Sequence, residues 1–358
     1  MDLSTLAIHA DDEYGSSKDV APAMHVSTTF RYPVDHNICA AVDRGFLDAS
    51  VLPIEASKAT HVYSRDSTET RDRLEAVLGS LESAFAVTYS SGSSAFFAAL
   101  QFYQPKQILM PQEGYHGAHG VVGLYTRSRN VKVLHLTDSE AENKVLLQSL
   151  QKSDLLWLES PQNPRGEVSD LDLFKKHCAS GVVIGVDSTF APPPIQCMLS
   201  NGAHIVMHSS TKYLGGHSDL LGGVLMTKEK DVRDKLLHDR EFLGSVMGQH
   251  EAWLLLRSLR TFHLRVLRQS RSAAEIAAWL NSKLDASSND PALDVVRKVW
   301  HASIPDCPGH DAAKRQGNGW SGVLSIEVRL QSILILCTTY NSDQNYSIYS
   351  LSLIIMLD

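Results

Sequence analysis

The residues best placed to do covalent chemistry lie between His204 and Asp219. Ala203 to Met207 is mostly apolar and β-prone, and this predicts a short buried strand. It runs directly into His208-Ser209-Ser210-Thr211-Lys212-Tyr213-Leu214-Gly215-Gly216. A lysine just past a buried strand is a candidate nucleophile, because burial disfavours an ammonium and a neutral amine condenses with an aldehyde. Ser209 and Thr211, three and one residues before Lys212, place hydroxyls where an anion could be held beside that amine. An ordinary strand-to-loop turn carrying a surface lysine would have the same local sequence.

A second strand, Gly181-Val182-Val183-Ile184-Gly185-Val186-Asp187, ends on a carboxylate with no evident reason to close a buried strand. A carboxylate against a pyridine nitrogen, an amine and an anion cradle are the three things pyridoxal 5'-phosphate (PLP) requires of a protein. The run Val186-Asp187-Ser188-Thr189-Phe190-Ala191, followed by Gly202 through Asp219, closely resembles the Cys/Met-metabolism PLP-dependent enzymes. That family includes cystathionine γ-synthases, cystathionine lyases and sulfhydrylases. The resemblance implies the aspartate-aminotransferase-like type I fold, an α/β architecture with a mainly parallel sheet and a smaller C-terminal α/β domain. It implies that Lys212 forms the Schiff base with PLP and moves protons, and that Asp187 keeps the ring nitrogen protonated.

Further matches extend it. Tyr63-Ser64-Arg65-Asp66 resembles the family's Tyr-x-Arg, which a neighbouring subunit contributes to the cofactor phosphate; a guanidinium and a phenol suit a dianion. The Asn-Pro-Thr that usually follows is replaced by Ser67-Thr68-Glu69-Thr70. Ser90-Ser91-Gly92-Ser93-Ser94-Ala95 opens a predicted helix, where free backbone N–H groups attract a phosphate. By resemblance Gly92 and Ser93 share the phosphate with Ser209 and Thr211. Tyr115, beside Gly114 and Gly117, corresponds to the tyrosine that stacks on the ring and takes part in proton transfer. His116 and His119 are read as structural or solvent residues. In Glu159-Ser160-Pro161-Gln162-Asn163-Pro164 the Asn163 amide corresponds to the donor to the ring oxygen.

The elements that must position these residues alternate. Helices are predicted at Thr70 to Leu81 with Thr70 as cap, at Glu140 to Leu150 and at Leu171 to Ala179. Strands are predicted at 84–89, 106–110, 131–136 and 154–158, alongside the Asp187 and Lys212 strands, which is the pattern of a parallel sheet covered on both faces. Asn163, Asp187 and Lys212 then lie at strand C-terminal ends, where open α/β sheets bind ligands. Residues 1–62 read as an irregular arm, 63–235 as the large PLP-binding domain and 236–328 as a partial small domain. Within the last, a long helix runs to Leu284 with Leu264, Leu267, Ile276 and Leu280 as its apolar residues, and a strand spans 291–300. From Arg329 the resemblance stops. The tail 329–358 is β-prone, carries after Arg329 only the charges Asp343 and Asp358, and reads as a truncated or atypical ending. The family's arginine for the substrate carboxylate has no equivalent there, and Arg329 directly follows a strand.

Composition narrows the rest. A chain of 358 residues, 43% hydrophobic and 20% charged, can bury a large core. A net charge of −7 without a basic run argues against nucleic acid or an anionic membrane as partner. Five scattered cysteines lack zinc spacing, and Cys307 to His310 is a lone Cys-x-x-His. With no apolar signal core near Met1, a reduced cytoplasmic protein is expected. The expected function is γ-replacement on an O-acyl homoserine, as in cystathionine γ-synthase, by a homodimer or homotetramer with shared active sites acting on a small amino acid. The resemblance for that branch rests on Ile8 to Glu13 and on Tyr63 to Ser67. A cystathionine β- or γ-lyase, a PLP-binding paralogue that cannot clamp substrate, and a non-enzymatic α/β protein are the alternatives.

Overall fold

A computed structural model describes residues 2–15, 19–31, 61–284 and 296–328, with the backbone of 352–356. The chain opens with helix α1 (Leu3–His9), so the N-terminal segment is not irregular throughout. Ala7 is buried beneath it, and Asp11 just beyond is fully buried, 2.8 Å from Arg73 Nε and 2.8 Å from Arg260 Nη1. That ion pair fastens the segment to α2 (Glu69–Leu81). The part of the N-terminal arm between Asp35 and Thr60, without periodicity in the sequence and so expected to be loop, lies outside the described residues.

The α2 cap is Thr68, whose hydroxyl accepts from the Arg71 N–H, and not Thr70. Thr68 has the extended backbone a cap requires, while Thr70 is already inside the first turn. Then come β1 (Phe85–Tyr89), α3 (Gly92–Tyr103), β2 (Gln107–Pro111), α4 (His116–Thr126), β3 (Lys132–Leu136), α5 (Glu140–Ser149), β4 (Leu155–Glu159), α6 (Leu171–His177), β5 (Val183–Asp187), β6 (Ile205–Ser209) and β7 (Gly223–Thr227). The β6 strand begins two residues later than expected. Helix α4 went unpredicted: its sequence HGAHGVVGLYT carries three glycines and reads as loop, yet Ala118, Val122 and Tyr125 form a buried stripe at helical spacing.

These strands make one sheet in the order β1-β7-β6-β5-β4-β2-β3. The β3, β2, β4, β5 and β6 pairings are parallel, and β7 runs antiparallel to both neighbours. The residues of β4 and of β7 are all buried, as expected of strands covered on both faces. On one face Trp157 stacks on Phe96 of α3 with centroids 4.0 Å apart; on the other, Leu158 and Val186 join Leu74 and Leu78 of α2.

Three helices follow, α7 (Lys230–Leu243), α8 (Gln249–Leu259) and α9 (Phe262–Leu284), and the last is the expected long helix running to Leu284. Leu264 and Leu267 are 61% and 47% exposed, contrary to the apolar face assigned to them. The face of α9 that packs is Phe262, Val266, Ser270, Ala273 and Ala277, where small residues allow close approach. Helix α9 lies against β8 (Val296–Trp300) and β9 (Val323–Val328), with α10 (His310–Gln316) between them in sequence. A second sheet has the order β10-β9-β8, its outer strand β10 (Ser352–Met356) antiparallel to β9. Cys307 and His310 turn to separate carbonyls, those of Val299 and Ala302, and no metal-binding group of side chains occurs among the described residues.

Candidate active site

The parallel strands bring Glu159, Asp187 and Ser209 to one end of the sheet. In β4 and β5, Glu159 and Asp187 are register partners. The site also needs α3 to start at that same end, and two glycines permit it. Gly223 in β7 pairs with both Tyr89 and Ser209. A Cβ on Gly223 would come within 2.3 Å of the Ser91 carbonyl, and one on Gly92 would meet Ser209 Cβ at 3.2 Å. Without those approaches the α3 N-terminus could not sit against the Lys212 segment.

A cavity of about 210 Å³ opens there. Lys212, Asp187, Ser209, Gly92, Ser93, Tyr115 and Asn163 all line it, so seven candidates spread over more than a hundred positions share one space. Thr211, Tyr63 and Arg65 do not line it. The Thr211 hydroxyl is instead engaged by the Gly222 N–H at 3.2 Å. Tyr63 and Arg65 are exposed, the guanidinium 5.4 Å from the phenol ring centre. Their turn is gripped from beneath by two buried arginines. Arg71 donates to the carbonyls of Ser64 and Asp66 at 2.7 and 2.8 Å, and Arg240, paired with Glu75 at 2.5 Å, reaches the Asp66 carbonyl at 3.3 Å.

Lys212 stands in a turn fixed by its own backbone and by Arg265. Its N–H donates to Ser209, its carbonyl accepts from Gly216, and Arg265 donates to the carbonyls of Tyr213 and Leu214. At α3, Ser91 and Ser94 cap one another, and the N–H groups of Gly92 and Ser93, first in the helix, have no intrahelical acceptor. Asp187 is buried, and burial pushes its carboxyl above the usual range; the hydroxyl and N–H of Thr189 and the nearby His208 pull it back. Both Thr189 bonds fall on Oδ1, at 2.5 and 3.0 Å, and the Thr189 hydroxyl in turn accepts from the Ser209 N–H at 2.8 Å. Thr189 therefore ties the Asp187 strand to the Lys212 strand. Neither Thr189 nor Glu159 has a role in the sequence reading, although both fall inside the family's motifs and Glu159 is a strand-terminal carboxylate just as Asp187 is.

The Cys/Met metabolism PLP-dependent enzyme model matches residues 4–354. The chain belongs to that family. The match runs on past Val328, where the sequence resemblance was expected to stop. The mimosinase of Leucaena leucocephala chloroplasts is 33% identical over 271 residues, covering 75% of this chain and 59% of its own length. The chain thus spans less than two thirds of that relative. The cystathionine γ-synthase of Escherichia coli is 31% identical, with 91% of this chain and 78% of that protein covered. Among solved structures, yeast cystathionine γ-lyase superposes with a TM-score of 0.77 at 29% identity, over 92% of this chain and 78% of that one. No described helix is long and apolar enough to cross a membrane.

The residues present fit the family's cofactor. A buried acid is available to a ring nitrogen, a lysine to an aldehyde, and unbonded N–H groups with Ser209 to a phosphate, all around one cavity. Glu159 adds a pH dependence. Burial first, and then the charge of Asp187, push its carboxyl from 4.5 to about 8, against the pull of two backbone N–H groups. Between those two values the folded chain keeps a proton the unfolded chain has lost, so stability falls as pH rises through that window. A full proton corresponds to about 1.4 kcal/mol per pH unit. The melting temperature of the cofactor-free protein should therefore drop between pH 5 and 8 in calorimetry, and Glu159→Gln should flatten the slope. An unchanged slope would assign it to other groups.

Proposed function

We propose that the protein catalyses γ-replacement on an O-acyl homoserine, the reaction of a cystathionine γ-synthase, and that its active site is shared between subunits. The observation that carries PLP-dependent sulfur amino acid chemistry is the meeting of Lys212, Asp187, Tyr115 and the α3 N-terminus around one cavity. Bound PLP supplies an electron sink that acidifies the C–H bonds next to the substrate nitrogen. The Lys212 amine would hold the cofactor's aldehyde and would carry protons to and from the substrate carbons. Asp187 holds positive charge at the ring nitrogen, and Tyr115 covers the ring and excludes water from one side. Asn163 holds the ring oxygen, and Gly92, Ser93 and Ser209 hold the phosphate.

Tyr63 and Arg65 serve a neighbouring subunit in this reading. They are exposed, lie outside their own chain's cavity, and sit on a turn that buried arginines hold in place. The γ-synthase assignment, rather than a lyase, rests on the Tyr63 to Ser67 and Ile8 to Glu13 segments; the relatives include synthases and lyases alike.

The test is a visible spectrum with added PLP, followed by turnover of O-succinyl or O-acetyl homoserine with cysteine, and of cystathionine alone. A yellow band with cystathionine formed from the ester supports the proposal. Cleavage of cystathionine without synthesis makes the protein a lyase. A band without turnover of any substrate makes it a PLP-binding paralogue, and a folded protein without a band removes the PLP reading for this chain.

A further inference from the structure

Two carboxyls line the cavity, and the chemistry proposed above uses only Asp187. Glu159, at the end of β4 and 8% exposed, divides its two oxygens between two different loops. Oε2 accepts the Tyr115 N–H at 2.8 Å, and Oε1 accepts the Asn163 N–H at 2.6 Å. A further bond joins the same loops, from the Gln162 side-chain amide to the Glu113 carbonyl at 2.8 Å. Gly114, at φ +141, leaves the room Oε2 occupies; a Cβ there would lie 2.8 Å from it.

We propose that Glu159 is a positioning residue for the cofactor, a two-oxygen clamp that sets the ring-facing Tyr115 and Asn163 in register with Asp187. The proposal rests on the PLP reading of this cavity. Its physical basis is the choice of side chain. Burying a second carboxyl directly beside Asp187 is costly, and an apolar residue would fill the space more cheaply. Among side chains of this length only a carboxyl presents an oxygen to each of two N–H donors, with or without its proton. Glutamine has one oxygen, and its NH₂ group would face a second N–H. Glutamine at 159 therefore releases either the Tyr115 loop or the Asn163 loop while keeping the size of the side chain.

The experiment compares wild type with Glu159→Gln by spectral titration with PLP, visible circular dichroism of the bound cofactor and thermal unfolding of the cofactor-free protein. Losing one buried hydrogen bond that orders a binding loop is expected to raise the PLP Kd about 10-fold or more. The dichroic band should weaken because Tyr115 no longer lies in a fixed relation to the ring, with no loss of cofactor-free Tm near pH 8. If PLP affinity and dichroism match wild type, whatever the Tm, the clamp is overturned. Should Glu159→Gln fail to fold, Gly114→Ala crowds Oε2 from the other side; because alanine at φ +141 also strains the backbone and lowers Tm, only PLP affinity and dichroism are compared, a weakening being expected and wild-type values overturning the clamp. A wild type that forms no band overturns the PLP reading itself, whereas a wild-type band with an unaltered variant overturns the clamp alone.

Discussion

Lys212→Ala is expected to abolish the yellow band that PLP gives with the wild-type protein and to lower kcat by on the order of 10⁴ or more. The amine is both the covalent anchor for the aldehyde and the proton carrier, so one substitution removes two functions that no neighbour can take over. Among the described residues, Lys212 is the only lysine or arginine lining the cavity. Folding should survive. The backbone of the Lys212 turn is held by bonds from its N–H, its carbonyl and Arg265, none of which involves the Lys212 side chain. The measurement is an absorption spectrum beside a steady-state assay, with far-ultraviolet circular dichroism as the folding control. Retention of the band in a folded variant would move the Schiff base to another residue.

Asp187→Asn should have the second largest effect, a loss of about 100- to 1,000-fold in kcat with the band preserved. Asparagine can still accept the Thr189 hydroxyl and N–H bonds at its side-chain oxygen, so the tie between β5 and β6 persists. What disappears is the negative charge that holds a proton on the ring nitrogen, and with it most of the electron sink. Burial makes that charge costly, which is why the Asp187 carboxyl stands above its usual range. A cation placed against it reverses the balance. Kinetics together with the spectrum check this: wild-type kcat in the variant would show that the ring nitrogen is protonated from elsewhere.

Much of the site is legible in the chain because each signal is local. Asp187 and Ser209 end short apolar strands, Gly92 and Ser93 open a capped helix, and Lys212 follows a strand by three residues. Such placements follow from side-chain periodicity and capping chemistry within a dozen residues. Where that periodicity was ambiguous, the reading failed. Helix α4 is hidden by its glycines, and on α9 Leu264 and Leu267 are exposed although both are large and apolar. Which stripe of a helix is buried depends on what it meets, and the partners of α9 include α1, β8 and β9, all distant from it in the chain.

Thr211 illustrates the same limit within the site. A hydroxyl one residue from Lys212 is well placed in sequence for a phosphate, yet the turn directs it to the Gly222 N–H. Conversely, Thr189 carries no local signal that separates it from a surface threonine, and Glu159 shares with Asp187 only its place at a strand end. Their importance arises from pairings between β4, β5 and β6 and from loops that return to the same end of the sheet.

By itself the sequence determined the alternation of strands and helices, the strand ends that carry the reactive groups and the kind of cofactor those groups suit. These properties are set by short-range periodicity and by the chemistry of single side chains. Only the tertiary structure decided that seven of those residues share one cavity, that Tyr63 and Arg65 lie outside it, and that a second buried acid ties Tyr115 to Asn163. Those outcomes depend on strand order and on glycine-permitted contacts such as Gly223 against Ser91, which join segments far apart in the chain.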